Sequence, residues 1–179
     1  PNARVVTTFL GMGKMALHQL PLDRVYLLNP GQRLNVGDRE LLCVKPPTFD
    51  APETTGFFDT ATRVLFSADC FGALMKEHAE TAADIAADDL REGVVTWTTI
   101  DAPWLATADK YQWIRSLDRI RGLDPTGILC SHLPPAIGLT DTLLDYYVEA
   151  TDIHGNVSRS PIQHVWVGAG GSSGGGGVS

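Results

Sequence analysis

Two carboxylates and one imidazole stand where predicted strands end, and they are the side chains in this sequence best placed to do chemistry. Asp50 follows VKPPTF, Asp69 follows VLFSA, and His132 follows ILCS. Strand ends that share one edge of a sheet converge in space, so residues far apart in the chain can form one site. Carboxylates bind hard ions, histidine suits zinc or iron, and metal ions in such sites activate water. The pattern therefore predicts a divalent-metal site.

Each of the three residues also has a structural interpretation. Asp69 can cap a helix that begins just after it, and Asp50 can form a turn in a segment rich in proline. His132 can be a neutral histidine bonded to the backbone. Spacing along the chain gives no distances, so the sequence leaves both interpretations open.

The elements that would position these residues change in character along the chain. The first half alternates short segments rich in β-branched residues with tight turns, which predicts strands. The predicted strands cover 3–10, 23–29, 39–46, 55–59, 62–69 and, later, 127–131. Helix-forming composition predicts helices at 70–93, 108–125 and 139–147. In the second helix, Tyr111, Ile114, Leu117 and Ile120 are predicted to form one apolar face.

Composition and charge narrow the class of protein. The 179 residues are 44% apolar, which is enough for one core, and the net charge of -7 argues against a nucleic-acid partner. No apolar run is long enough to cross a membrane and no signal peptide is visible, so we expect a cytoplasmic location. Three cysteines without a CxxC pair are predicted to be free thiols. Gly11-Met-Gly13-Lys is too short to indicate a nucleotide-binding loop.

One long block of sequence resembles a known family. The segment PPTFDAPETTGFFDTATRVLFSADCFG, followed by ILCSHLPPAIG, is similar to the C-terminal half of a metallo-β-lactamase-fold domain, above all its flavodiiron-like branch, which includes oxygen-binding diiron proteins. In that family one strand ends in Ser/Thr-x-Asp before Phe-Gly, and a later strand ends in Ser-His. Asp69 then resembles the bridging carboxylate, and His132 resembles the last histidine ligand. The resemblance implies an α+β fold, a partial αββα sandwich, over residues 1–145.

The sequence departs from the family pattern in two places. The loop ligand is usually histidine, whereas here the matching residue is Asp50, or Glu53 if the alignment shifts by three. An oxygen ligand favours iron or manganese over zinc, and we expect iron, unless this ligand is lost. The family's first metal motif, His-x-His/Glu-x-Asp-His, is absent. We therefore expect a fragment that binds metal weakly and is inactive alone.

Two classes of function follow. The first is a fragment of a dinuclear-metal protein, either a metallo-hydrolase or a diiron protein that binds or reduces oxygen. Its partners would be a small-molecule substrate or O2, and it could form a homo-oligomer. No flavin is expected, because the family's flavodoxin-like domain is not in this chain. The alternative is a non-catalytic binding module, in which Trp97 and Trp104 of TWTTIDAPW line a pocket or pack in the core. His18 and His78 are interpreted as surface or structural residues.

The end of the chain has a different character. Residues 146–167 resemble the last two strands of an immunoglobulin- or fibronectin-III-like module, as a hairpin around Gly155-Asn156. His154 and His164 in that segment have no expected metal role. The Gly- and Ser-rich residues 168–179 predict a disordered tail. The predicted divisions are therefore 1–145, 146–167 and 168–179.

Overall fold

The computed structural model describes residues 3–152, with side chains described up to residue 148. The strands are β1 (Val5–Thr7), β2 (Val25–Leu27), β3 (Arg33–Asn35), β4 (Glu40–Val44), β5 (Gly56–Asp59), β6 (Val64–Phe66), β7 (Gly127–Cys130) and β8 (Leu133–Ile137). The helices are α1 (Phe9–Leu17), α2 (Ala87–Asp101), α3 (Lys110–Leu123) and α4 (Thr140–Asp152). Short 3-10 turns, Ala82–Asp84 and Pro103–Thr107, flank α2. The predicted α+β class is confirmed.

Six of the strands form one mixed sheet in the order β3-β4-β5-β6-β7-β8. Neighbouring strands are antiparallel except for β6 and β7, which are parallel. Parallel neighbours need a long crossover, and here it contains α2 and α3. The strands β1 and β2 form a separate parallel pair joined through α1. The crossover brings the carboxyl ends of β6 and β7 to the same edge of the sheet.

The core lies between one face of this sheet and the helices α2, α3 and α4. A row of apolar side chains runs across five paired strands, namely Leu42, Phe58, Leu65, Ile128 and Ala136. Because side chains alternate between the two faces of a strand, the residues next to this row point the other way. Phe66 and Ile137 are accordingly 44% and 59% exposed. This outer face is the one that the second sheet of the expected sandwich would cover.

The apolar face of α3 differs from the predicted one. Trp113, Leu117 and Ile120 are buried, whereas Tyr111 is 81% exposed and Ile114 is 40% exposed. Successive steps of three residues drift by about 60° each around a helix, so a face built only from such steps turns towards solvent. The i, i+4, i+7 set stays on one side and packs on the core.

Several predicted boundaries were wrong, and at three of them a segment forms a different kind of structure from the predicted one. The strand predicted to run to residue 10 ends at Thr7, because the Thr8 Oγ1 accepts from the Gly11 N–H at 3.2 Å and begins α1. The helix predicted from residue 70 begins only at Ala87, because amide donors before it bond to other segments. The Leu74 N–H, for example, donates to the Gly93 carbonyl at 3.1 Å.

The third difference lies at the end of the described chain. Residues 146–152 form the last turns of α4, where the sequence pattern predicted the start of a strand. The rest of the predicted hairpin and the Gly/Ser tail, residues 153–179, lie outside the described residues. Within residues 3–152, no helix combines the length and apolar character that crossing a membrane requires.

Candidate functional site

Two of the three predicted site residues meet at the edge of the sheet. Asp69 follows β6 and His132 follows β7, and the Asp69 Oδ1 lies 3.1 Å from the His132 Nε2. The side chains are 30% and 43% exposed, respectively, so the pair is accessible to small molecules. The convergence of strand ends that the sequence predicted is confirmed for this pair, and it depends on the parallel pairing of β6 with β7.

Asp50 does not join them. It lies in the loop between β4 and β5, at the same edge of the sheet, but β5 separates β4 from β6. The Asp50 carboxylate is exposed, and its Oδ1 accepts from the Thr54 Oγ1 at 3.4 Å. Glu53, the alternative ligand in this loop, pairs with Lys14 of α1.

The predicted three-residue cluster is therefore not assembled. Among the described residues, no group of three or more His, Cys, Asp or Glu side chains is arranged to hold a metal ion. The role of Asp50 as a ligand stays a prediction. His18 and His78 are exposed, as the sequence indicated, and the three cysteines are free thiols. Burial raises the pKa of the Cys70 thiol, next to Asp69, to about 12, so it stays protonated at neutral pH.

The helix α2 packs against the pair through Trp97. The Trp97 and His132 ring centroids are 4.1 Å apart, and the Trp97 Nε1 donates to the Asp69 carbonyl at 3.1 Å. The second tryptophan of the TWTTIDAPW segment makes a similar hydrogen bond to the loop that carries Asp50: the Trp104 Nε1 donates to the Phe49 carbonyl at 2.8 Å. Both tryptophans therefore hold the loops that carry the predicted ligands.

Asp101 is a site residue that the sequence reasoning missed. It lies at the end of α2, four residues after Trp97 and so on the same face of the helix. Its Oδ2 is buried and has no hydrogen-bond partner among the described residues. Burial, together with the nearby carboxylates of Asp69 and Asp50, raises the pKa of Asp101, while His132 opposes this rise. The i, i+4 spacing of Trp97 and Asp101 is the signal from which the sequence could have identified it.

The donor atoms of Asp69 and His132 can be compared with the ligand geometry of a single metal ion and of a dinuclear centre. Two ligands at right angles on one ion, with bonds of about 2.1 Å, have their donor atoms about 3 Å apart. The Asp69 and His132 atoms have this separation, which also suits a direct hydrogen bond. The described residues thus fit two ligand positions on a single ion. They do not fit a dinuclear centre, because no second set of ligands accompanies them.

Comparison with family models and with curated proteins finds no match. Solved structures do match. The rubredoxin oxygen:oxidoreductase of Desulfovibrio gigas aligns with 83% of this chain at a TM-score of 0.71 and 18% identity. The flavodiiron protein of Giardia intestinalis aligns with 84% at a TM-score of 0.71 and 17% identity. The fold is that of the metallo-β-lactamase-like domain of flavodiiron proteins.

The aligned region is only part of these flavodiiron proteins. The chain spans 37% of the Desulfovibrio protein and 36% of the Giardia protein. It spans 60% of the chemotaxis sensor ODP, solved as a peroxy diiron species, with a TM-score of 0.63 and 15% identity. At these identities the likeness establishes the fold, which agrees with the family resemblance of the PPTFDAPETTGFFDTATRVLFSADCFG block.

Proposed function

We propose that this chain is part of a flavodiiron-type protein that binds or reduces oxygen, and that Asp69 and His132 bind one iron ion of its metal centre. The observation that carries the proposal is the 3.1 Å approach of the Asp69 Oδ1 and the His132 Nε2 at the carboxyl ends of two parallel strands. The fold shared with flavodiiron proteins favours oxygen chemistry over hydrolysis.

Each residue at the Asp69–His132 pair would have its own role in iron binding. Asp69 offers a hard oxygen donor and His132 an imidazole nitrogen, a mixture that iron accepts. Trp97 contacts the imidazole ring at an interplanar angle of 33° and holds the Asp69 backbone by a hydrogen bond. A cation bound at the pair would offset the repulsion between the carboxylates of Asp101 and Asp69 that helps to raise the pKa of Asp101. Bound iron would supply the electron exchange with oxygen that these side chains cannot provide.

The described residues offer a small part of a coordination shell. Two protein ligands leave most positions to water or to groups outside the described residues, so binding to this chain alone should be weak. The proposal therefore includes the expectation of a fragment that needs further ligands for activity. It leaves room for Asp50, whose loop lies at the same edge of the sheet.

Anaerobic titration of the chain with Fe(II), followed by calorimetry, tests the proposal. Asp69→Asn and His132→Gln should each weaken binding by about 10-fold or more, because each removes one of two ligands. Asp118→Asn, an exposed acid on α3, is the matched control for a lost charge and should bind like the unmodified chain. Asp50→Asn shows whether the loop contributes a ligand. Equal binding by the unmodified chain and Asp69→Asn would overturn the proposal.

A groove between β4 and α3 supports a second candidate, a binding module for a small apolar molecule. The groove measures about 630 Å³ and is lined by the aromatic side chains of Phe49, Trp104 and Trp113. Binding of anilinonaphthalene sulfonate, followed by its fluorescence, would test this role. Ser116→Trp, which fills the groove, should abolish a one-to-one complex. The same signal in both chains would exclude the groove.

A further inference from the structure

The turn that carries Asp69 has an unusual backbone. Ala68 and Phe71, on either side of the Asp69–Cys70 pair, have φ angles of 54° and 68°. Residues with a Cβ seldom adopt this left-handed conformation, and they keep it only where the surroundings hold them. The position of the Asp69 carboxylate therefore depends on the contacts that maintain this turn.

Most of these contacts come from elements next to the turn. The Ser67 Oγ donates to the Cys70 carbonyl at 2.7 Å, and the Ser131 N–H donates to the Ala68 carbonyl at 2.8 Å. The Trp97 Nε1 holds the Asp69 carbonyl. All three bonds fix carbonyl groups. The amide group of Phe71 is held from a different direction.

That amide donates to the hydroxyl of Tyr147, a residue of α4 that lies 76 positions later in the chain. Phe71 and Tyr147 are both 0% exposed, and their ring centroids are 4.7 Å apart. Burial is the main cause that raises the pKa of the Tyr147 hydroxyl well above its ordinary value. Water does not reach this position, so the Phe71 N–H would lose its partner if the Tyr147 hydroxyl were removed.

We propose that Tyr147 is a positioning residue for the Asp69–His132 site: its buried hydroxyl holds Phe71 in the left-handed conformation and thereby sets the direction of the Asp69 side chain. The consequence for metal binding rests on the function proposed above. The mechanical part of the inference, that the hydroxyl maintains the turn, does not depend on any metal.

The test compares Tyr147→Phe with Tyr146→Phe, the same change at the neighbouring tyrosine, which is only partly buried beside the core. Amide hydrogen exchange reports the turn directly. We expect exchange in residues 68–72 to be about 10-fold faster in Tyr147→Phe, with β7 unchanged, and no such change in Tyr146→Phe. We also expect Tyr147→Phe to weaken Fe(II) binding by about 10-fold, the usual effect of losing a group that supports a ligand.

The outcomes separate the two proposals. Unchanged exchange at residues 68–72 in Tyr147→Phe would overturn the role of Tyr147. Faster exchange with unchanged Fe(II) affinity would show that Tyr147 holds the turn without positioning Asp69, and would also overturn it. An unmodified chain that binds no iron contradicts the proposed function, while the exchange data still decide whether the hydroxyl maintains the turn.

A second variant covers the case in which Tyr147→Phe does not fold. Glycine adopts left-handed φ angles freely, so Ala68→Gly relieves one of the two strained positions. The double variant Ala68→Gly/Tyr147→Phe should fold and still show faster exchange at Phe71 than Ala68→Gly alone. Equal exchange in these two chains would overturn the inference.

Discussion

Gly72, the glycine of the Asp-Cys-Phe-Gly block, lies where a side chain has no room. A Cβ added there would lie 2.6 Å from the Trp97 Nε1, 2.8 Å from its Cδ1 and 2.9 Å from the His132 Cβ. Trp97 is fixed in α2, so Gly72→Ala must displace the indole, the imidazole or the turn. Overpacking of this kind costs about 1 to 3 kcal/mol, and losing the Trp97–Asp69 hydrogen bond adds about 0.5 to 1.5 kcal/mol. We expect Gly72→Ala to lower the free energy of unfolding by about 1.5 to 4.5 kcal/mol.

Urea unfolding measured by circular dichroism provides the assay. The matched control is Gly122→Ala in α3, where an added Cβ meets nothing within 4 Å and alanine favours the helix. That control should raise the free energy of unfolding by about 0.5 to 1 kcal/mol. Gly72→Ala should also weaken Fe(II) binding, because the two ligands move apart. If Gly72→Ala were as stable as Gly122→Ala, the described packing of Trp97 on His132 would be incorrect.

Three further predictions concern the sheet and its surroundings. Hydrogen bonds, first from the Thr62 hydroxyl, lower the pKa of Asp59 to about 2. The charged Asp59 therefore stabilises the fold fully above the ordinary pKa of about 4, and this stabilisation is lost as the pH falls towards 2. When the free energy of unfolding is measured against pH, Asp59→Asn should lose less stability over this range than the unmodified chain. Leu65→Ala on the inner face should lower the free energy of unfolding in urea by about 2 to 5 kcal/mol. Phe66→Ala on the exposed outer face should lower it by about 1 kcal/mol or less. Equal losses would refute the assignment of the two faces. Trp97→Phe keeps an aromatic ring on His132 but removes the hydrogen-bond donor, so thermal melts should show a loss of about 0.5 to 1.5 kcal/mol, and an unchanged melt would contradict that bond.

The sequence predicted the central pair of the site for a sound physical reason. Asp69 and His132 each follow a short apolar strand, and polar residues at such ends gather at one edge of a sheet. The pairing of β6 with β7 is parallel and direct, so the two ends meet. Most strands were also predictable from their β-branched residues, with boundaries that differ by a few residues.

The remainder depends on tertiary contacts that no local pattern contains. Asp50 lies in the long loop between β4 and β5 and forms no three-residue metal-binding group with the pair among the described residues, and the path of such a loop cannot be derived from composition. The segment after Asp69 has helix-forming residues, yet its amides bond to Tyr147 and to distant carbonyls instead of forming helical turns. Asp101 comes near the Asp69–His132 pair through the placement of α2, which the residues around it in the sequence do not indicate.

The most direct test of the proposed metal site is anomalous diffraction from crystals of this chain soaked anaerobically in Fe(II). The proposal predicts an iron peak at bond length, about 2.0 to 2.3 Å, from both the Asp69 Oδ1 and the His132 Nε2. Density without a peak at this position, with the two atoms still in direct contact at 3.1 Å, would contradict it and leave the pair a hydrogen bond between two strand ends.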